Sequence, residues 1–161
     1  MKKLWRMWYG NILFFLLVLV GCKSQNTSNE GADQGASKVS FELLVEDSQS
    51  NIDMKNYEVI RSSERLQEVF NRINSTRKPG IPIPEVDFSK QLVLFLNMGQ
   101  QNSGGFSVSV SKIEKTNDAF VVFVKEKKPE PTAMVTMVLT TPFTLVRTEN
   151  TSLPVEFKLL N

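Results

Sequence analysis

Residues 91–113 read QLVLFLNMGQQNSGGFSVSVSKI, and this stretch decides the fold. Leu92–Leu96 is an unbroken apolar run, too short for an independent helix, so it reads as a strand covered on both faces. From Asn97 to Gly105 nearly every residue is a turn former, and the chain can reverse there. Phe106–Ser111 then alternates strictly, giving one apolar face and one row of hydroxyls. Two strands joined at a Gly104-Gly105 corner are therefore the expected frame of the domain.

Upstream, Val39–Glu46 reads as a strand, Asp47–Asn51 as a turn and Tyr57–Arg61 as a short strand. Ser62 or Ser63 supplies an N-cap for a helix over Glu64–Ile73, with Glu64 placed against the helix dipole. Leu66, Val69, Phe70 and Ile73 form one apolar stripe, as expected of a helix packed on its own sheet. Asn74–Pro84, with three prolines and a glycine, is a loop.

Downstream, Lys115–Asp118 is a hairpin turn and Ala119–Val124 a second strand buried on both faces. Lys125–Pro131 is charged and breaker-rich, hence a solvated loop. Met134–Leu139, Phe143–Thr148 and Val155–Leu160 read as three further strands. The expected fold class is α+β: mostly antiparallel β-sheet, sandwich-like or strongly curved, with one early amphipathic helix in a single domain over 39–161.

The first 21 residues differ in kind. Lys2, Lys3 and Arg6 precede the apolar segment Ile12–Val20, which is shorter than the roughly 20 residues a spanning helix needs. The segment ends Leu19-Val20-Gly21-Cys22, which matches the bacterial lipobox and uses the chain's only cysteine. Residues 1–21 are thus expected to be a lipoprotein signal peptide, with Cys22 the lipidated residue. Residues 22–38 hold no large apolar side chain and are expected to form a flexible tether, with a coil span on the order of 20 Å. Acylated Cys22 would anchor the domain in a lipid bilayer, extracytoplasmic in a bacterial cell envelope, on the outer membrane where there is one.

Charge and chemistry exclude much. The formal net charge is +2; Lys2, Lys3 and Arg6 lie in the expected signal peptide, which holds no acid, so its removal leaves −1. No basic patch remains for nucleic acid. The sequence has no histidine and, once Cys22 is acylated, no free thiol, which leaves only carboxylates as metal ligands, without EF-hand-like spacing, and no serine–histidine pair. Ser89 and Lys90 are adjacent on an extended chain and point to opposite faces. No Gly-rich phosphate loop opens a helix. No cofactor is expected, and an enzyme is not expected either.

A resemblance enters at the Gly-Gly corner. Phe88–Leu94, Gly99, Ser103-Gly104-Gly105-Phe106-Ser107-Val108, Phe120-Val121-Val122, Lys128-Pro129 and Thr141-Pro142-Phe143 together resemble the C-terminal domain of the PrcB family of protease-complex subunits. The similarity covers about 87–158, with Ser103 at the family's usual threonine and Phe106 at its usual tyrosine. It implies a non-catalytic extracytoplasmic domain that is accessory to a protease or envelope complex. A fainter likeness links Asn102–Phe106 and Thr141–Phe143 to the two loops of chagasin-like protease inhibitors, although the second loop lacks their arginine and tryptophan.

The expected function is a membrane-anchored binding module for another envelope protein, with a protease-complex partner implied by the resemblance. The candidate contact residues are Gln100, Gln101, Asn102, Ser103, Gly104, Gly105, Phe106, Pro142 and Phe143. The Gly104-Gly105 pair has two readings: close approach of a partner, or relief of strain at a turn. A protease inhibitor and a structural envelope component are the alternatives.

Overall fold

A computed structural model describes residues 35–160; the expected signal peptide, Cys22 and the tether up to residue 34 lie outside that range. In order the elements are β1 (Ser37–Val39), β2 (Phe41–Asp47), β3 (Asn56–Ile60), α1 (Ser63–Ile73), β4 (Gln91–Asn97), β5 (Ser107–Lys115), β6 (Phe120–Lys127), β7 (Phe143–Glu149) and β8 (Val155–Leu160). The strands form two four-stranded sheets, ordered β1-β5-β6-β8 and β2-β7-β4-β3. Every pairing is antiparallel except β6 with β8, which is parallel. The α+β class and its single helix stand as the sequence implies.

β4 explains why its five-residue run is apolar throughout. Leu92, Leu94 and Leu96 belong to the core between the sheets, with Val108, Val110, Ile113, Phe120, Val122 and Val124. Val93 and Phe95 point the other way, into a second core with Leu66, Val69, Phe70 and Ile73 of α1. The order of layers is therefore helix, sheet, sheet, and β4 is covered twice. At about 25 cal/mol per Å² of apolar surface, each such leucine stabilises the fold by roughly 1.5–3 kcal/mol.

α1 begins where Ser62, extended at φ −145° and ψ 156°, accepts the Arg65 N–H on its Oγ at 3.3 Å. Glu64 in the first turn and Arg72 in the last complement the helix dipole. All four stripe residues are buried against the sheet.

Four local expectations are corrected. β4 and β5 are not partners in one sheet: β4 lies in the second sheet and β5 in the first, so the Gly-Gly segment is an arch between sheets. The apolar faces of the two strands meet across the sandwich, which buries more side chain than pairing them edge to edge. Met134–Leu139 is not a strand. It crosses from β6 to β7 and meets the arch through the Gly104 N–H and Thr136 O rather than joining a ladder. The charged run after Val124 still belongs to β6 as far as Lys127. Ser37 and Lys38, assigned to the tether, are already paired with β5.

Candidate functional site

β4 and β6 end, and β5 and β7 begin, at the same end of the sandwich. Three loops therefore gather there: 48–55, 98–106 and 128–142. Backbone hydrogen bonds lace them together. The Met98 N–H donates to Pro142 O at 2.9 Å, and the Gln100 N–H to Asp53 O at 2.9 Å. Gln101 and Thr140 exchange both backbone bonds, at 2.7 and 3.0 Å. The Gly104 N–H donates to Thr136 O at 2.9 Å, and the Thr140 hydroxyl to Ser103 O at 2.8 Å.

A buried polar cluster fixes the first loop. Asn97, fully buried at the end of β4, accepts the Ser50 hydroxyl at 2.7 Å and donates to Ile52 O and Met54 O, each at 2.9 Å. The Thr141 hydroxyl accepts the N–H groups of Ser50 and Asn51 at 2.8 and 3.0 Å. No buried side-chain polar atom is left without a partner among the described residues.

Two glycines are required by geometry. Gly99 sits at φ +71°, and a Cβ there would lie 2.6 Å from Asp53 O and Lys55 N. Gly105 sits at φ +86°, its missing Cβ facing Pro129 and Val135 at 3.1 Å. The corner thus lets the 128–142 loop lie directly on the arch.

The residues singled out by sequence separate into two groups. Gln100, Asn102 and Gly105 are exposed at the tip, and Gly104 is half-buried beneath Thr136. The Gln101 side chain folds inward, donating to Met98 O at 3.2 Å, and Ser103 is buried. Phe106, half-buried, lines a cleft of about 370 Å³ with Glu46, Asp47, Ser48, Ser107, Val108, Pro142 and Phe143. Phe143 itself is buried, its ring centroid 6.1 Å from that of Phe95. Thr141–Phe143 therefore does not project as a second displayed loop.

The side chains that sequence reasoning missed stand beside the arch. Met134 is fully exposed, and Met137, Val138 and Leu139 are 85%, 54% and 60% exposed, although all four are apolar. Met54 projects from the 48–55 loop, and Leu159 and Leu160 end β8 beside Val124 and Lys125 at this same end. A sequence signal existed: an apolar run with two methionines, held between Lys128-Pro129-Glu130-Pro131 and Thr140-Thr141-Pro142, with breakers on both sides.

Charge frames this patch. Lys125, Lys127 and Lys128 are exposed, and Lys55 Nζ lies 2.6 Å from Glu126 Oε1, which also accepts the Tyr57 hydroxyl. Burial first, and then Glu126, push the Tyr57 hydroxyl well above its ordinary range. Burial also pulls the Glu126 carboxyl upward, but the Lys55 and Tyr57 hydrogen bonds outweigh it and the group sits low. No metal-binding group of carboxylates, histidines or cysteines occurs among the described residues.

The arch and the crossing loop both fall inside one matched segment. Residues 92–149 match the family described as PrcB C-terminal. This PrcB-like domain runs from β4 through β7, which brings in the Gly-Gly arch, the cleft floor, Met134 and Met137, while β1–β3, α1 and β8 lie outside it. Comparison with curated proteins and with solved structures gave no match.

Proposed function

We propose that the protein is a lipid-anchored, non-catalytic binding module of the bacterial envelope, whose apolar tip docks on another envelope protein. The observation that carries this reading is the exposed Met134–Leu139 segment, clasped on the Gly-Gly arch of the PrcB-like domain. Soluble domains seldom display a contiguous apolar patch without a partner for it. Methionine, unbranched and polarisable, suits such a surface because it adapts to what it meets. The hydrogen bonds that lace the three loops hold the patch in place, so little ordering entropy is lost on docking.

In this reading the partner belongs to a protease complex, which the resemblance to the PrcB family implies and which the match over residues 92–149 supports. Acylated Cys22 supplies the anchor in this reading, and the domain supplies recognition. The test combines two variants of the full chain. The native chain is expected to incorporate a labelled fatty acid, and Cys22→Ser to lose that label. The double variant Met134→Ser, Met137→Asp is expected to stay in the membrane and lose its co-purifying partner. A partner retained by the tip variant would remove the docking reading, and a Cys22→Ser chain that still carries the fatty-acid label would remove Cys22 as the lipid anchor.

A further inference from the structure

Sulfur is concentrated at the tip. The sequence carries six methionines, of which Met1 and Met7 lie in the expected signal peptide. Of the other four, Met98 is buried, while Met134, Met137 and Met54 are 102%, 85% and 80% exposed. These three are the most exposed large apolar side chains among the described residues, and the next, Leu139, is 60% exposed. Branched side chains would supply apolar area equally well, yet the outermost positions carry thioethers. No cysteine follows Cys22, so these methionines hold the accessible sulfur of the domain.

The way the crossing segment is attached leaves its two sulfurs free. Val135 lies against the arch at Gly105, and Thr136 O accepts the Gly104 N–H at 2.9 Å. Met134 and Met137, on either side of this pair, project into solvent. Neither they nor Met54 belong to the two cores. A change of polarity at these sulfurs therefore alters the surface and leaves the fold intact.

We propose that Met134, Met137 and Met54 form a modification site for oxidants of the peroxide class, and that their oxidation releases the docked partner. This regulation rests on the docking reading of the tip. A lone pair on the thioether sulfur attacks one peroxide oxygen, and the S–O bond forms as the O–O bond breaks. The hydroxide that leaves takes the proton of the new S–OH group and departs as water. Sulfur is oxidised by two electrons and the peroxide is reduced, so one hydrogen peroxide gives one methionine sulfoxide and one water. The product is polar and chiral where the thioether was apolar and adaptable. Burial against an apolar partner would leave the sulfoxide oxygen without a hydrogen bond, so the contact weakens. Methionine sulfoxide reductases, one for each epimer, restore the thioether.

The test treats the purified full chain with hydrogen peroxide, removes the peroxide, and follows each methionine by peptide mass spectrometry. Met134 and Met137 are expected to gain one oxygen at least about tenfold faster than Met98, which is reached only when the loops open. Equal rates at the three positions overturn the site. The oxidised chain is expected to melt within about 2 °C of the untreated one. It is then compared with the untreated chain for capture of the partner from detergent-solubilised envelope. Capture is expected to weaken by about tenfold or more, and to return after treatment with the two reductases. Equal capture by the oxidised and untreated chains overturns the proposal. Capture by neither overturns the docking reading and the release with it, and the oxidation rates then decide the site alone. In a chain carrying Met54→Leu, Met134→Leu and Met137→Leu, peroxide is expected to leave capture at its untreated level. A loss there would place the effect at other residues and overturn the proposal.

Discussion

Replacing Asn97 with leucine tests whether the tip is held from beneath by its buried polar cluster. The substitution keeps the branched, four-heavy-atom shape of the side chain but removes three hydrogen bonds, to the Ser50 hydroxyl, Ile52 O and Met54 O. Each is worth about 1 kcal/mol net, so the expected loss is about 3 kcal/mol. At about 4 °C per kcal/mol for a domain of this size, the melting temperature falls by about 12 °C. Urea unfolding followed by circular dichroism gives the free energy directly, with an unchanged slope showing that the unfolded state is the same. Ser50→Ala removes one of the three bonds and should cost about 1 kcal/mol alone. In the double variant that bond is already gone, so the combined loss should fall short of the sum by about 1 kcal/mol. A loss under about 1 kcal/mol for Asn97→Leu, or full additivity, would refute the assignment of Asn97 as the anchor of the 48–55 loop.

Other consequences are separable. Gly99→Ala combines a left-handed backbone with a Cβ 2.6 Å from backbone atoms, and is expected to cost about 2 kcal/mol or more by denaturant unfolding. Gly104→Ala, whose Cβ meets only the Thr136 hydroxyl, should cost less than half of that, and the reverse order would contradict the packing described. The Met134→Ser, Met137→Asp variant should unfold within about 0.5 kcal/mol of the native chain, because both side chains are solvent-exposed; a larger loss would place them in a core. Acid should weaken the fold through Glu58, whose carboxyl is held low chiefly by the Arg65 hydrogen bond. Its contribution is present above the ordinary value of 4.5 and fades as pH falls below it, since the unfolded chain then binds the proton more readily. Glu58→Gln should flatten the decline in unfolding midpoint between about pH 5 and about pH 3, and an unchanged decline would exclude this pair as a cause.

Much of the architecture is legible in the residues. The double burial of Leu92–Leu96, the α1 stripe and the Thr116–Ala119 hairpin all follow from periodicity and turn chemistry, because each depends on neighbours close in sequence. The sheet assignment of β4 and β5 does not. A Gly-rich segment between two strands serves equally as hairpin or arch, and only the packing of Leu94 against Val108 and Val110 within one core separates the two. Met134–Leu139 fails for a related reason. Strand composition yields a strand only where a partner edge is free, and edges are a property of the whole sheet. The candidate site was half visible in the same way. The arch announced itself through Gly104-Gly105, while the burial of Phe143 depends on the core it shares with α1, which no local pattern encodes.

The most direct test of the docking account is site-specific photo-crosslinking of the full chain in native envelope, with the reactive group placed at Met137 or at Asn117. Met137 stands on the apolar tip, and Asn117 is exposed in the β5–β6 turn at the other end of the sandwich. The account predicts a discrete protein adduct from position 137 and none from position 117. Adducts of the same size from both positions, or from 117 alone, would contradict it.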